Sequence, residues 1–183
     1  MINGAEDCPI QSISLQGIKL HIAAPAPEIA AEVGGNFDLR GAVVRSPDDA
    51  IFKHDIPALY ARYVNDLKIR GFEVTWDSNL PSYFSSAIEC NHFHNFQIEG
   101  FEGRQAQLKG RAPAIALSNG SVVSIRDADA APGTGTFLSV HDVRDEGLFV
   151  DNDVKNARSV FKARKCAFTM HGNELPGGVK IGH

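Results

Sequence analysis

The sequence predicts an α+β fold: a mainly antiparallel β barrel or sandwich with two packed α-helices. Two observations lead to this class. Residues 11–22 and 136–143 alternate apolar and polar side chains, as strands with one buried face do, whereas two other segments carry apolar residues at helical spacing. A chain of 183 residues suits one hydrophobic core. We therefore predict a single domain over 1–183, in which 171–183 forms a C-terminal tail.

The predicted strands are short alternating runs separated by turn residues. Gly17 interrupts the alternation of residues 11–22, which predicts a bulge or a turn at that position. Two further runs flank Asn119-Gly120, the dipeptide that best tolerates the positive φ angles of a type I′ turn. We therefore predict a hairpin centred on these two residues. No internal repeat of the solenoid type is evident.

The two predicted helices span residues 56–70 and 153–164. In each segment the apolar side chains fall mostly three or four residues apart, which places them on one face of a helix. Before the first helix we predict a helical turn over 28–33 and a strand over 37–45. The apolar stripe of the first helix comprises Ile56, Leu59, Tyr60, Tyr63, Val64 and Leu67, and that of the second comprises Val154, Ala157, Val160 and Phe161.

The composition argues against several classes of function. The formal net charge is -4 and the 18 Lys and Arg residues are scattered, so we expect no positive surface for nucleic acid. No apolar run reaches the roughly 20 residues of a membrane-spanning helix, and the N-terminal residues lack the pattern of a signal peptide. The three cysteines lie far apart, which suits a reducing compartment. We expect a soluble protein, cytoplasmic or assembled into a particle.

Residues 88–102 hold the densest group of metal-competent side chains. Cys90, His92 and His94 occur at alternate positions, so a strand would place all three on one face, together with apolar side chains. Two interpretations stay open at this point. The face is either a buried metal site or a part of the core that contains two hydrogen-bonded histidines.

The spacing His92-x-His94-x4-Glu99 resembles the first metal motif of the cupin family, whose small β-barrels hold a metal with two histidines, a glutamate and a third histidine from a later strand. His141 is the candidate for that third histidine. The resemblance implies a divalent metal held by His92, His94, Glu99 and His141. It would make the protein a metal-dependent enzyme or a metal-binding protein.

The favoured hypothesis is a non-enzymatic assembly or binding subunit. The sequence has no Gly-rich phosphate loop before a helix and no Gly-x-Ser-x-Gly motif, so we predict no catalytic residues and no cofactor other than the metal of the cupin alternative. The β-rich pattern and the long loops with Gly and Pro favour a homo-oligomer or a partner-binding protein. A structural component of a larger particle, such as a phage virion, fits this description.

Overall fold

The computed structural model describes residues 1–24, 56–164 and 166–178. Over these ranges the chain forms ten β-strands and one short 3-10 turn at Pro176–Gly178, and none of these residues lies in an α-helix. Within the same ranges no helix is long and apolar enough to cross a membrane. The strands are β1 (Ile2–Asn3), β2 (Ile10–Ile22), β3 (Leu59–Trp76), β4 (Ile88–Gly103), β5 (Pro113–Arg126), β6 (Asp129–Ala130), β7 (Thr136–Arg144), β8 (Gly147–Val150), β9 (Ser159–Arg164) and β10 (Phe168–His171).

The strands named above pair in parallel throughout. β2 pairs with β3, β3 with β4, β4 with β5, β5 with β7 and β7 with β9. A parallel partner requires the chain to return to the same end before each new strand, so the chain winds in coils that stack on one another. Paired residues in neighbouring coils are separated in sequence by 29 residues for Arg62 and Asn91, by 27 for Asn91 and Ser118, and by 23 for Ser118 and His141. This architecture is a parallel β-solenoid.

Three rows of residues with left-handed backbone form the corners of the coils. Positive φ is uncommon outside glycine, yet eleven described non-glycine residues have φ between 50° and 69°. All eleven fall at equivalent positions in successive coils, and most are Asn or Asp, which tolerate this conformation. The first row is Tyr63, His92, Asn119 and Asp142; the second is Ser12, Asp66, Asn95, Val122 and Asp145; the third is Gly17, Gly71, Gly100, Asp127, Asp151 and Gly172.

The hydrophobic core fills the inside of the coils. Its centre is a ladder of phenylalanine rings that runs along the solenoid axis, with centroid separations of 4.9 to 6.3 Å between neighbours. The rings at the middle of the ladder are fully buried, whereas the last two are half-buried. The ladder consists of Phe72, Phe101, Phe137, Phe149, Phe161 and Phe168.

Two buried asparagines connect the coils beside the third corner. Asn152 and Asn173 occupy equivalent positions, and Asn152 Nδ2 donates to Asn173 Oδ1 at 2.9 Å and to the carbonyl of Ile125 at 3.2 Å. Asn173 Nδ2 donates to the carbonyls of Phe149 and His171 at 2.8 and 2.9 Å. The side-chain amides thus satisfy backbone groups that the bend removes from the strand ladder.

The predicted fold class is wrong: the described chain is almost entirely parallel β-sheet, not an antiparallel barrel or sandwich with two helices. The helix predicted over 56–70 is replaced by β3. Its corners at Tyr63 and Asp66 each shift the in-out alternation by one residue, so Val64 and Leu67 both face the core at a spacing of three. That spacing imitates the period of a helix.

The second predicted helix and the predicted hairpin are also wrong. Asp153 forms isolated β-bridges, residues 154–158 form a loop with a turn, and β9 covers the rest of the segment 153–164. Asn119-Gly120 lies inside β5, which continues through it and pairs with β4 and β7. The positive φ of Asn119 makes a solenoid corner and does not reverse the chain.

Other local predictions have mixed outcomes. The strands predicted over 11–22 and 136–143 are confirmed by β2 and β7, and Gly17 is a corner of β2. The described part of the predicted C-terminal tail includes the end of β10 and the buried side chain of Asn173. The helical turn predicted over 28–33 and the strand predicted over 37–45 lie outside the described residues.

Candidate functional site

The two histidines of β4 lie on the outer surface and not on the apolar face where alternation predicts them. The left-handed residues His92 and Asn95 shift the phase of the strand twice, so Phe93 and Phe96 face the core. The side chains of His92 and His94 are exposed. Strict alternation fails here because it assumes a strand without corners.

Each of the four predicted metal ligands has a different neighbour. His92 packs its ring on Tyr63, with a centroid separation of 4.7 Å. His94 Nδ1 lies 2.8 Å from the hydroxyl of Ser121. Glu99 Oε2 lies 3.4 Å from Nε of Arg70 in an ion pair, and His141 Nδ1 lies 2.9 Å from Oδ2 of Asp142.

The described residues include no group of three or more His, Cys, Asp or Glu side chains that could hold one metal ion. His92, His94, Glu99 and His141 are thus not brought together, and the barrel that the cupin resemblance implies is absent over these ranges. Cys90 is fully buried, and burial raises the pKa of its thiol far above the ordinary value, with the charge of Glu89 as a smaller cause. Its thiol is therefore unsuited to act as a nucleophile or as a ready metal ligand.

The first two corners and their flanking residues form a continuous polar surface, which we call the polar strip, and Ser121 is its one buried member. It crosses four coils, and Val122 is its only apolar member. Its charged side chains are two arginines and three aspartates, so it has little net charge when the histidines are neutral. The polar strip consists of Arg62, Tyr63, Asn65, Asp66, Asn91, His92, His94, Asn95, Ser118, Asn119, Ser121, Val122, His141, Asp142, Arg144 and Asp145.

Side chains of the polar strip are linked from one coil to the next. Asn119 Nδ2 donates to Asn91 Oδ1 at 3.0 Å, and Asn95 Nδ2 donates to Asp66 Oδ1 at 2.6 Å. Within one coil, the guanidinium of Arg62 lies 5.2 Å from the ring centroid of Tyr63. These contacts hold the groups in fixed positions, and the amides of Asn91 and Asn119 have more donor and acceptor capacity than the bond between them uses.

An open cavity of about 1000 Å³ lies at the C-terminal end of the polar strip. Its wall combines amide, carboxylate and guanidinium groups with a half-buried thiol. The residues that line it are Asn119, Gly120, Asp142, Val143, Arg144, Asp145, Glu146, Cys166 and Ala167. Its volume is in the range of cavities that bind small molecules.

A second surface is formed by the two terminal coils. Most apolar residues that face inward in the middle coils are buried, whereas many of those in the terminal coils are only half-buried. Within the ranges that the structure describes, β2 pairs on one side only, and so do β9 and β10. The half-buried residues are Ile13, Leu15, Ile18, Leu20 and Ile22 at one end and Val160, Phe161, Phe168, Met170 and Leu175 at the other.

Most residues of the polar strip and of the terminal coils were not predicted from the sequence to have a function. His92, His94 and His141 were selected as metal ligands, but the asparagines, aspartates and arginines around them were not. A signal for the corners is present, because the segments 66–73 and 95–102 share a polar first residue, a central isoleucine and a Gly-Phe-Glu ending. Aligning them would have placed Asp66 and Asn95 in one row.

Comparison with protein-family models, with curated proteins and with solved structures finds no match to this chain. The class of protein is defined by its architecture, a parallel β-solenoid with a polar strip on one side and apolar terminal coils.

Proposed function

We propose that this protein is a non-enzymatic assembly subunit that joins a second copy of itself through the terminal coils of the solenoid. The observation that carries the proposal is the partial exposure of apolar side chains at both ends, next to strands that, among residues 1–24, 56–164 and 166–178, have a partner on one side only. A subunit of this kind suits a larger particle, such as a phage virion.

A middle coil of a solenoid buries its apolar side chains between two neighbouring coils, whereas each terminal coil has one neighbour within the part of the chain that the structure describes. The strand edge that has no partner among these residues presents backbone donors and acceptors that can pair with another chain. The end of a second copy supplies apolar surface and backbone hydrogen bonds at once, as in the addition of a strand to a sheet edge.

The proposal is tested by measuring the solution mass of the wild type and of variants with one new lysine. We expect a mass that is a multiple of 19.8 kDa for the wild type. Leu15→Lys and Met170→Lys place a charge at the apolar ends, and we expect both to shift the mass towards that of the monomer, because burial of an unpaired charge is unfavourable.

Adjacent residues provide matched controls. The side chains of Ser14 and Thr169 are exposed, and Thr169 donates a hydrogen bond to Glu146 on the side of the solenoid. Ser14→Lys and Thr169→Lys should therefore keep the mass of the wild type. A wild-type protein that stays monomeric at high concentration would contradict the proposal, as would dissociation caused equally by the control variants.

A further inference from the structure

The geometry of the polar strip points to a second property: we propose that it binds a neutral linear polysaccharide laid along the solenoid axis, with one end of the bound segment in the adjoining cavity. This surface is separate from the terminal coils, so the proposal does not depend on assembly.

The chemistry of the polar strip matches a chain of hydroxyl groups. Amides and hydroxyls both donate and accept hydrogen bonds, as sugar hydroxyls do. The near balance of arginines and aspartates gives no net field that would attract a polyanion. Beneath the strip β3, β4 and β5 are paired on both sides, so recognition there depends on side chains, whereas residues 142–144 of β7 have a described partner only in β5.

The repeat of the polar strip also matches a linear glycan. Equivalent residues in successive coils are about 4.8 Å apart, which is the spacing of neighbouring strands. A pyranose ring with its linkage to the next ring has a comparable length. Asn91 and Asn119 are thus placed to contact successive sugars, and their mutual hydrogen bond of 3.0 Å orders both amides before a ligand arrives.

Two further features provide the remaining contacts of a sugar site. The exposed ring of His92, tilted by 33° against the ring of Tyr63, offers an aromatic face against which the C–H groups of a sugar can pack. The cavity at the other end places Asp142 and Arg144 around a space large enough for a terminal sugar. An ordered row of polar groups that leads into a cavity is typical of an extended binding site.

The test is a titration of the full chain with four neutral linear hexasaccharides (cellohexaose, xylohexaose, laminarihexaose and maltohexaose) and with the acidic hexagalacturonate, followed by NMR saturation transfer and calorimetry. We expect at least one of them to bind. The double variant Asn91→Ala, Asn119→Gly should bind that sugar at least tenfold more weakly. Glycine is chosen at 119 because it accepts the positive φ of this corner.

The matched control is Asn156→Ala, which removes an exposed asparagine outside the polar strip and should leave the affinity unchanged. A far-ultraviolet circular dichroism spectrum like that of the wild type identifies a double variant that is still folded, and His94→Ala provides a second strip variant if it is not. The proposal is overturned if no neutral hexasaccharide binds at millimolar concentration, if only the acidic hexagalacturonate binds, or if folded strip variants keep the full affinity.

Discussion

Replacement of Phe137 by alanine is expected to lower the free energy of unfolding by about 3–5 kcal/mol. Phe137 is fully buried in the middle of the phenylalanine ladder. Its ring lies 5.9 Å from that of Phe101 and 6.0 Å from that of Phe149, with edge-to-face geometry on both sides. The substitution removes apolar contacts, leaves a cavity that the closed coils cannot easily fill, and breaks two aromatic pairs.

Chemical denaturation followed by circular dichroism measures this effect. Leu108→Ala serves as the control because Leu108 is 56% exposed, and we expect it to change stability by no more than about 0.5 kcal/mol. A loss below about 1 kcal/mol for Phe137→Ala would mean that the ring is not at the centre of the core.

Replacement of Asn173 by alanine is expected to cost about 2–4 kcal/mol, because it leaves several buried polar groups without partners. Asn173 accepts hydrogen bonds from the backbone N–H and the side chain of Asn152, and it donates to two carbonyl groups. Water cannot readily replace these bonds, since the residue is only 1% exposed.

Asn156→Ala is the matched control for this prediction. Asn156 is exposed and donates one hydrogen bond, to the carbonyl of Ala130 at 3.0 Å. We expect it to cost no more than about 1 kcal/mol in the same denaturation experiment. Equal losses for the two variants would show that the buried hydrogen bonds of Asn152 and Asn173 do not add to the free energy of unfolding as expected.

The sequence predicted individual strands better than their arrangement. β2 and β7 have alternating runs. In β2 the apolar residues from Ile13 to Ile22 are half-buried between exposed ones, whereas in β7 the adjacent Phe137 and Leu138 are both buried. Alternation contains no information about the direction of the neighbouring strand, so parallel coils and an antiparallel barrel produce the same pattern. The prediction of an antiparallel sheet was therefore a choice that the pattern could not support.

The corners explain the larger errors. A left-handed residue changes which side of the strand faces the core, and two such residues separated by three positions produce an apolar spacing like that of a helix. This happened at Tyr63 and Asp66, which led to the predicted helix, and at His92 and Asn95, which led to the predicted buried histidines. The coil length also falls from 29 to 23 residues, which hides the repeat from a search at one fixed period.

The central claim is that successive long strands stack as parallel coils, and disulfide trapping tests it most directly. Gln97 and Ser124 are register partners in β4 and β5, with Cα atoms expected about 4.8 Å apart, within the range that a disulfide spans. Lys68 lies in the coil beyond β4, two coil spacings from Ser124, which is too far for a disulfide.

In a background with Cys8 and Cys166 replaced by serine, we expect the Gln97→Cys, Ser124→Cys pair to oxidise fully and the Lys68→Cys, Ser124→Cys pair to stay reduced. Failure of the first pair to form a disulfide, or equal oxidation of both pairs, would contradict the solenoid and the two surfaces argued from it.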